Sequence, residues 1–276
     1  MTAEPLSGGL SNEIWKVTDA VGIHVVRLGA DYPFHHVNRQ REAMSARAAH
    51  TAGFGPSVQH SEPGVMVTDF IESRTWSEED LRNNPERVGR LLADFHREMP
   101  AYITGEAFLF WPFHVIRDYA NTLKATRHAA DLPGFLTLSA EMEAAQIPLP
   151  IIFGHHDLLP ANFLDDGSRL WLIDYEYAGF GTALFDLAGA ASNAGMSTDQ
   201  ADALLLAYFG SKPDAALRRA FDAMQVASLL RETLWAMVSG IHLAAPGVDY
   251  DAYTAENRDR LQTAETTYKT RWETAP

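Results

Sequence analysis

The sequence predicts an α+β chain of two unequal lobes. A small N-terminal lobe, residues 1–72, carries an antiparallel sheet and one helix, and a large lobe, residues 73–276, is mainly helical. Three observations predict this. Residues 13–17 and 22–28 alternate polar and apolar side chains, as half-buried strands do, and an Ala-rich helical stretch follows them. From Asn84 onward, apolar residues recur at helical spacing almost to the C terminus. Between these helices, residues 151–173 form an interlude of short apolar runs and turn residues.

In chain order, strands at 13–17 and 22–28 pair with each other, and a helix over 38–49 ends at Gly53. Residues 65–71 read as a mostly apolar strand broken at Glu72. Asn84 supplies an N-cap and Pro85 a first-turn proline, after which Val88, Leu91, Leu92 and Phe95 repeat at helical spacing. Further helices are expected at roughly 114–130, 136–146, 183–194, 198–209, 214–243 and 251–269. Residues 151–153 form a strand, and 162–164 and 170–173 form a hairpin turned by Asp165, Asp166, Gly167 and Ser168.

That hairpin belongs to the most informative block of the chain. Phe153-Gly-His-His-Asp-Leu-Leu-Pro-Ala-Asn-Phe163, followed by Leu172-Ile-Asp-Tyr-Glu176, sets out His155, Asp157, Asn162 and Asp174 in order. An alcohol hydroxyl needs a carboxylate in reach to orient it and accept its proton, and Asp157 suits that task. A triphosphate needs hard oxygen ligands around Mg²⁺, which Asn162 and Asp174 supply. Phosphoryl transfer leaves a protein mainly with positioning and charge neutralisation, so one base and two oxygen ligands nearly complete an inner shell. Asp and Asn also favour turns for local reasons. His-x-Asp-x4-Asn followed, after a hairpin, by hydrophobic-Asp-x-Glu is a much rarer pattern.

On these residues the chain resembles the choline/ethanolamine kinase family within the aminoglycoside phosphotransferase superfamily, whose fold is protein-kinase-like. The His-Arg-Asp and Asp-Phe-Gly motifs of protein kinases are absent. The resemblance implies a nucleotide clamp near the N terminus, with ATP and Mg²⁺ as cofactors. Ser7, Gly8, Gly9, Ser11 and Asn12 would form the phosphate loop, small residues letting backbone N–H groups approach oxygens. Arg27 stands where the superfamily has its phosphate-contacting base, with arginine as in choline kinases. Glu42 is its expected carboxylate partner, the alternative being pairing of Glu42 with neighbouring arginines on the helix. The segment from Thr68 through Asp69, Phe70 and Ile71 would run into a hinge that receives adenine.

The resemblance also bears on the acceptor. Asp174-Tyr-Glu-Tyr-Ala178 and Phe185-Asp-Leu-Ala188 match the family pattern, placing Tyr177 in an amine pocket and Glu176 near the metal or amine. Asp186 would orient the catalytic loop. Trp235 matches an aromatic that packs on the choline head group, with a core tryptophan as the alternative. The family often has a second tryptophan three residues earlier, where this chain has Glu232. A quaternary ammonium is recognised by aromatic faces and carboxylates, so this departure bears directly on the acceptor.

Composition agrees with an enzyme. The 276 residues can bury a sizeable core, 46% of them being hydrophobic. The net charge of −14 argues against a nucleic-acid partner and is compatible with a cationic small alcohol. There is no cysteine, which excludes disulfides and thiolate metal sites. No leader-like start and no membrane-length apolar run are present, so a cytoplasmic enzyme without membrane contact is expected. His96 reads as a structural histidine, and His24, His35, His36, His60 and His242 show no ligand spacing. The expected activity is ATP-dependent phosphorylation of choline, ethanolamine or a related amino alcohol. The alternatives are a kinase of another small alcohol (aminoglycoside, thiamine-like or sugar) and a nucleotide-binding pseudokinase. Oligomeric state is not legible.

Overall fold

The computed structural model describes residues 1–6, 12–243 and 247–273. The N-terminal part is a five-stranded antiparallel sheet of β1 (Thr2–Pro5), β2 (Glu13–Thr18), β3 (Ile23–Leu28), β4 (Val58–Glu62) and β5 (Val65–Asp69), in the order β1-β2-β3-β5-β4. Helix α1 (Arg39–Thr51) crosses between β3 and β4. Asn38 caps it by accepting from the Arg41 N–H at 2.9 Å, satisfying one of the orphan donors of its first turn. In the register, Arg27 lies opposite Ile14 on one side and Met66 on the other. Its side chain therefore shares a sheet face with Val25.

β1 was not foreseen. Its four residues are all exposed and include a proline, so it lacks the alternation that marks a half-buried strand and is tolerated only at the sheet edge. The strand expected over 65–71 ends at Asp69, where the Asp69 N–H donates to Ser57 and the Phe70 N–H to Ile23.

The remainder contains β6 (Arg74–Thr75), α2 (Glu78–Asn83), α3 (Pro85–Glu98), α4 (Pro112–Leu123), α5 (Leu132–Ala144), β7 (Ile151–Gly154), β8 (Phe163–Asp165), β9 (Leu170–Leu172), β10 (Gly179–Thr182), α6 (Ala183–Ala194), α7 (Thr198–Phe209), α8 (Ala215–His242) and α9 (Tyr250–Trp272). The expected β8–β9 hairpin forms, with its turn at Asp166 to Arg169, one residue later than expected, because Asp165 ends β8 opposite Leu170. Gly167 adopts φ +87°, and Asp166 Oδ1 accepts from the N–H groups of Ser168 and Arg169. β6 joins this hairpin, and β7 pairs with β10 rather than with β9.

One helix expectation is refined and two are corrected. Asn84 stands at the N-cap of α3 with Pro85 following it, as expected, but its side chain makes no cap hydrogen bond; its amide donates instead to the Asp80 carbonyl at 2.8 Å, closing α2. The helix expected over 114–130 spans Pro112–Leu123, because the Thr126 hydroxyl takes the Leu123 carbonyl at 2.7 Å and competes with the next helical turn. The helix expected from 136 starts at Leu132, with proline in its first turn.

Helix α8 is the axis of the large lobe. It packs against α4, α5, α6 and α9, so its apolar residues are buried on every side, Phe221, Met224, Leu230, Leu234 and Val238 among them. Among the described residues no helix is long and apolar enough to cross a membrane.

Candidate active site

The catalytic block is a loop held from below. After β7 the chain turns sharply at His156, with φ +63°, and Asp157 follows. That turn is fixed by Asp186 in the first turn of α6. Its Oδ2 accepts from the His155 N–H at 2.8 Å and its Oδ1 from the His156 N–H at 2.7 Å, while His96 Nε2 donates to Oδ2 at 2.8 Å. Burial would raise the Asp186 carboxyl, but His156, His96 and these bonds hold it below the usual carboxylate range. His96, hydrogen-bonded also to the Tyr208 hydroxyl at 2.8 Å, sits behind the loop as a positioning residue.

Both ring nitrogens of His155 are committed. Nδ1 accepts from the Asp157 N–H at 3.3 Å, so Nε2 carries the proton and donates to the Ile173 carbonyl at 2.9 Å. Burial keeps this ring neutral by lowering its pKa. His155 therefore ties the loop bearing Asp157 to the segment leading into Asp174. The His156 ring stacks on Phe110 at 4.4 Å, and burial lowers it to about 4. A Cβ at Gly154 would stand 2.4 Å from His156 Nε2, and one at Gly181 would stand 2.9 Å from it. Only glycine at both positions leaves room for the ring.

Asn162 and Asp174 are drawn together by the hairpin. The Ile173 N–H donates to the Asn162 carbonyl at 3.1 Å. The Asn162 amide nitrogen donates to the Asp157 carbonyl at 2.7 Å, which commits the nitrogen side and leaves Oδ1 to coordinate. Asp174 adopts φ +68°, a left-handed conformation that Asp tolerates better than most residues and that recurs at functional sites. Its Oδ1 accepts from Arg27 at 2.9 Å. Burial pushes the Asp174 carboxyl up, yet Arg27 outweighs it and holds it below the ordinary range. Two hard oxygens on Asn162 and Asp174 fit magnesium, which takes few protein ligands and keeps waters and phosphate oxygens for the rest.

Arg27 is shared. It forms an ion pair with Glu42 of α1 as well as with Asp174. Glu42 is also paired with Arg39 at 2.7 Å, three residues before it on α1, so the pairing within the helix and the pair with Arg27 coexist. Arg39 then reaches Glu176 at 2.9 Å. The network runs Asp174, Arg27, Glu42, Arg39, Glu176, and Glu42 is only 2% exposed. A cavity of about 910 Å³ lies beside it, lined by Asn12, Arg27, Gly29, Arg39 and Glu42 among others. Of the expected phosphate loop, Ser7, Gly8, Gly9 and Ser11 lie outside the described residues. Asn12 packs so closely on Gly29 that a Cβ there would collide with its Oδ1.

Around Asp157 the charges are crowded. Burial and the neighbouring Asp174 push its carboxyl well above the ordinary range, Arg231 opposing them. Tyr177 and Trp235 are joined, the indole N–H donating to the Tyr177 hydroxyl at 2.9 Å. Trp235 is 7% exposed and also borders His35, Tyr250 and Tyr253, so it is a core residue as well as a neighbour of Tyr177. Glu232 accepts from the Tyr253 hydroxyl at 2.8 Å and from Arg231 Nη1 at 2.9 Å. The Arg231 guanidinium lies over the Tyr177 ring, 4.6 Å from its centroid.

For the expected adenine segment, the Asp69 and Phe70 N–H groups are engaged with Ser57 and Ile23. The Asp69 carboxylate accepts from Gln59 at 2.8 Å, and the Phe70 ring carries Lys16 at 4.0 Å. Both N–H groups are thus used within the N-terminal lobe. Among the described residues no group of three or more His, Asp or Glu is placed to hold a metal ion.

A model of choline/ethanolamine kinases matches residues 3–203. The chain belongs to the choline/ethanolamine kinase family. It is 28% identical to a probable ethanolamine kinase of Arabidopsis thaliana over 207 residues, covering 67% of this chain and 54% of that protein. It therefore spans little more than half the length of that curated relative. A choline/ethanolamine kinase family protein from Mesorhizobium loti superimposes with a TM-score of 0.81 at 30% identity, covering 96% of this chain and 88% of the other. A spectinomycin phosphotransferase, solved with ADP and spectinomycin, shares the fold at a TM-score of 0.66 and 11% identity, covering 96% and 93%. The fold is thus the protein-kinase-like one that the motif resemblance implied.

Arg39 and Arg231 escaped the sequence reading. Arg39 carried one signal, its position three residues before Glu42. Arg231 carried another, since Arg-Glu interrupts the otherwise apolar run at 226–238 of a buried helix.

Proposed function

We propose that this chain transfers the γ-phosphoryl group of ATP to the hydroxyl of a small amino alcohol of the choline and ethanolamine class. One observation carries the reading. Asp157, Asn162 and Asp174 meet on one loop-hairpin unit, and Arg27, itself held by Glu42, reaches Asp174 from the other lobe at 2.9 Å. Asp157 orients the hydroxyl and takes its proton as the oxygen attacks the γ-phosphorus and the bond to the β-phosphate oxygen breaks, releasing ADP. Arg27 and the phosphate loop neutralise the triphosphate from above. Magnesium, held by Asn162 and Asp174, supplies further neutralisation when bound. Tyr177, Trp235, Glu176 and Glu232 stand on the acceptor side. Adenine would lie at the strand edge beyond Asp69, read by Ile71 and the carbonyls of that segment.

An ATP-consumption assay over choline, ethanolamine, aminoglycosides, thiamine-like alcohols and sugars tests the reading. Turnover confined to amino alcohols is expected, together with its near-complete loss in Asp157→Ala at retained ATP binding. Unchanged turnover in that variant overturns the assignment.

A further inference from the structure

The acceptor side of Asp157 holds a feature that an amine pocket does not require. Arg231 is 4% exposed, buried in the lobe beside the base. Its Nη1 is bonded to Glu232, but Nε and Nη2 are buried without a hydrogen-bond partner. Leaving donors of a permanent cation unsatisfied in a dry site is costly. The charge stays on: burial would lower the Arg231 pKa, but Tyr119, Glu232, Tyr177 and Asp157 raise it beyond its ordinary value. The Tyr119 hydroxyl, 3.2 Å from His35 Nδ1, is the nearby group that also interacts with the Arg231 guanidinium.

The same side chain changes what Tyr177 can do. A cation already lies 4.6 Å from the centre of that ring, so a quaternary ammonium placed there meets a like charge instead of an open aromatic face. Trp235 turns its N–H to the Tyr177 hydroxyl and is itself buried. Carboxylates nevertheless remain close by in Glu232 and Glu176, which suit an ammonium. Both signs are therefore offered within one pocket, bordering the carboxylate that takes the hydroxyl proton. Between Arg231, Glu232, Asp157 and Asn193 the structure keeps a cavity of only about 20 Å³, the size of one water.

We propose that the acceptor is a zwitterionic amino alcohol, a hydroxyl-bearing amino acid whose carboxylate binds the free edge of Arg231 and whose ammonium faces Glu232. This rests on the phosphotransferase reading above and changes its acceptor from a plain amino alcohol to one that also bears a carboxylate. The reaction balances as before: the substrate oxygen forms the bond to the γ-phosphorus, ADP leaves, and the proton passes to Asp157, giving a phosphomonoester of the amino acid. Arg231 is the specificity-determining residue, since it lies beside Asp157 with Nε and Nη2 unpartnered.

The test compares matched acceptors with the full chain. ADP release is followed with L-serine, L-threonine and L-homoserine, with their amides, and with choline and ethanolamine. An acid is expected to exceed its own amide at least about tenfold in kcat/KM, a difference of about 1.4 kcal/mol. In Arg231→Met that preference should collapse, and in Arg231→Lys it should largely survive, with thermal unfolding confirming that both variants fold. Choline or ethanolamine turned over better than every hydroxy acid overturns the proposal while leaving the phosphotransferase reading intact, as does an acid preference unaffected in Arg231→Met. Calorimetric binding of L-homoserine and its amide, with a non-hydrolysable ATP analogue present, decides the question without turnover. Tighter binding of the acid that depends on Arg231 supports the proposal, and equal or absent binding of the two overturns it. Failure of every acceptor to consume ATP would instead remove the phosphotransferase reading.

Discussion

Arg39 of the N-terminal helix places Nη1 2.9 Å from Oε2 of Glu176, two residues past the hairpin carboxylate Asp174. The contact closes a chain of alternating charges across the two parts of the molecule, because Arg39 also holds Glu42 and Glu42 holds Arg27. Orientation of Arg27 and of Asp174 is thereby set by one buried network rather than by independent side chains. Burial and the nearby Asp174 push Glu176 upward in pKa, so its ionised form depends on Arg39 and Arg27.

Arg39→Gln tests the network. Removing one partner of a buried ion pair leaves the other charge uncompensated, a loss of about 3 kcal/mol. Urea unfolding should show a lower midpoint, and the Michaelis constant for ATP should rise because Arg27 loses its braced partner. The double variant Arg39→Gln/Glu176→Gln should be less destabilised than the sum of the singles, since the orphaned charge is gone. Strict additivity would mean that the two side chains do not act together.

Asp157→Asn keeps the shape of the base and removes its ability to accept a proton. Turnover should fall about 10²- to 10⁴-fold, the usual range for a general base. Binding of the magnesium nucleotide, followed by calorimetry, should stay nearly unchanged because Asn162 and Asp174 are intact. A parallel loss of nucleotide affinity would move Asp157 from base to metal ligand.

The pH profile follows from the charges around that base. Burial and Asp174 raise the Asp157 pKa, and a protonated carboxyl cannot accept the hydroxyl proton. Activity should therefore rise with pH along an acid limb displaced above the ordinary carboxylate range. Glu232 is among the groups that raise it and Arg231 the one that lowers it. Glu232→Gln should shift the limb down and Arg231→Met should shift it up, both read from kcat/KM against pH. Identical profiles in the two variants would show that neither charge is felt at Asp157.

How far the sequence discloses this site depends on whether the information is local. Asn162 and Asp174 are legible because a short hairpin with the turn residues Asp166, Gly167 and Ser168 dictates their approach. Arg27 is legible because strand alternation places it on the face of Val25 and a motif resemblance supplies its role. Arg39 and Arg231 are not, since their partners lie 137 residues away in one case and across a packed helix in the other. β1 is too short and too exposed to carry a periodic signal. The helix expected to reach 130 stops at Leu123 through one threonine hydroxyl, a competition that periodicity does not register. Asn84 has the residue type of a cap, and only the fold turns its amide toward Asp80 instead.

Asp186 is the remaining lever, because it acts on the catalytic loop without facing the acceptor. One carboxylate there receives two backbone N–H groups and the His96 ring. Asp186→Asn has a single carbonyl oxygen to offer, so a buried donor loses its acceptor at a cost of about 1–3 kcal/mol. The sign with pH is set by its depressed pKa. The native carboxylate contributes stability that is fully present above the unfolded-state value and is lost as pH falls toward the folded one. Wild type should therefore lose its advantage over Asp186→Asn progressively in acid, in unfolding curves taken from neutral pH downward. At neutral pH the variant should also turn over more slowly, with kcat reduced more than the ATP Michaelis constant is raised, because the loop bearing Asp157 is no longer pinned at His155 and His156. An advantage that stays constant across the acid range would show that these hydrogen bonds do not depend on the charge of Asp186.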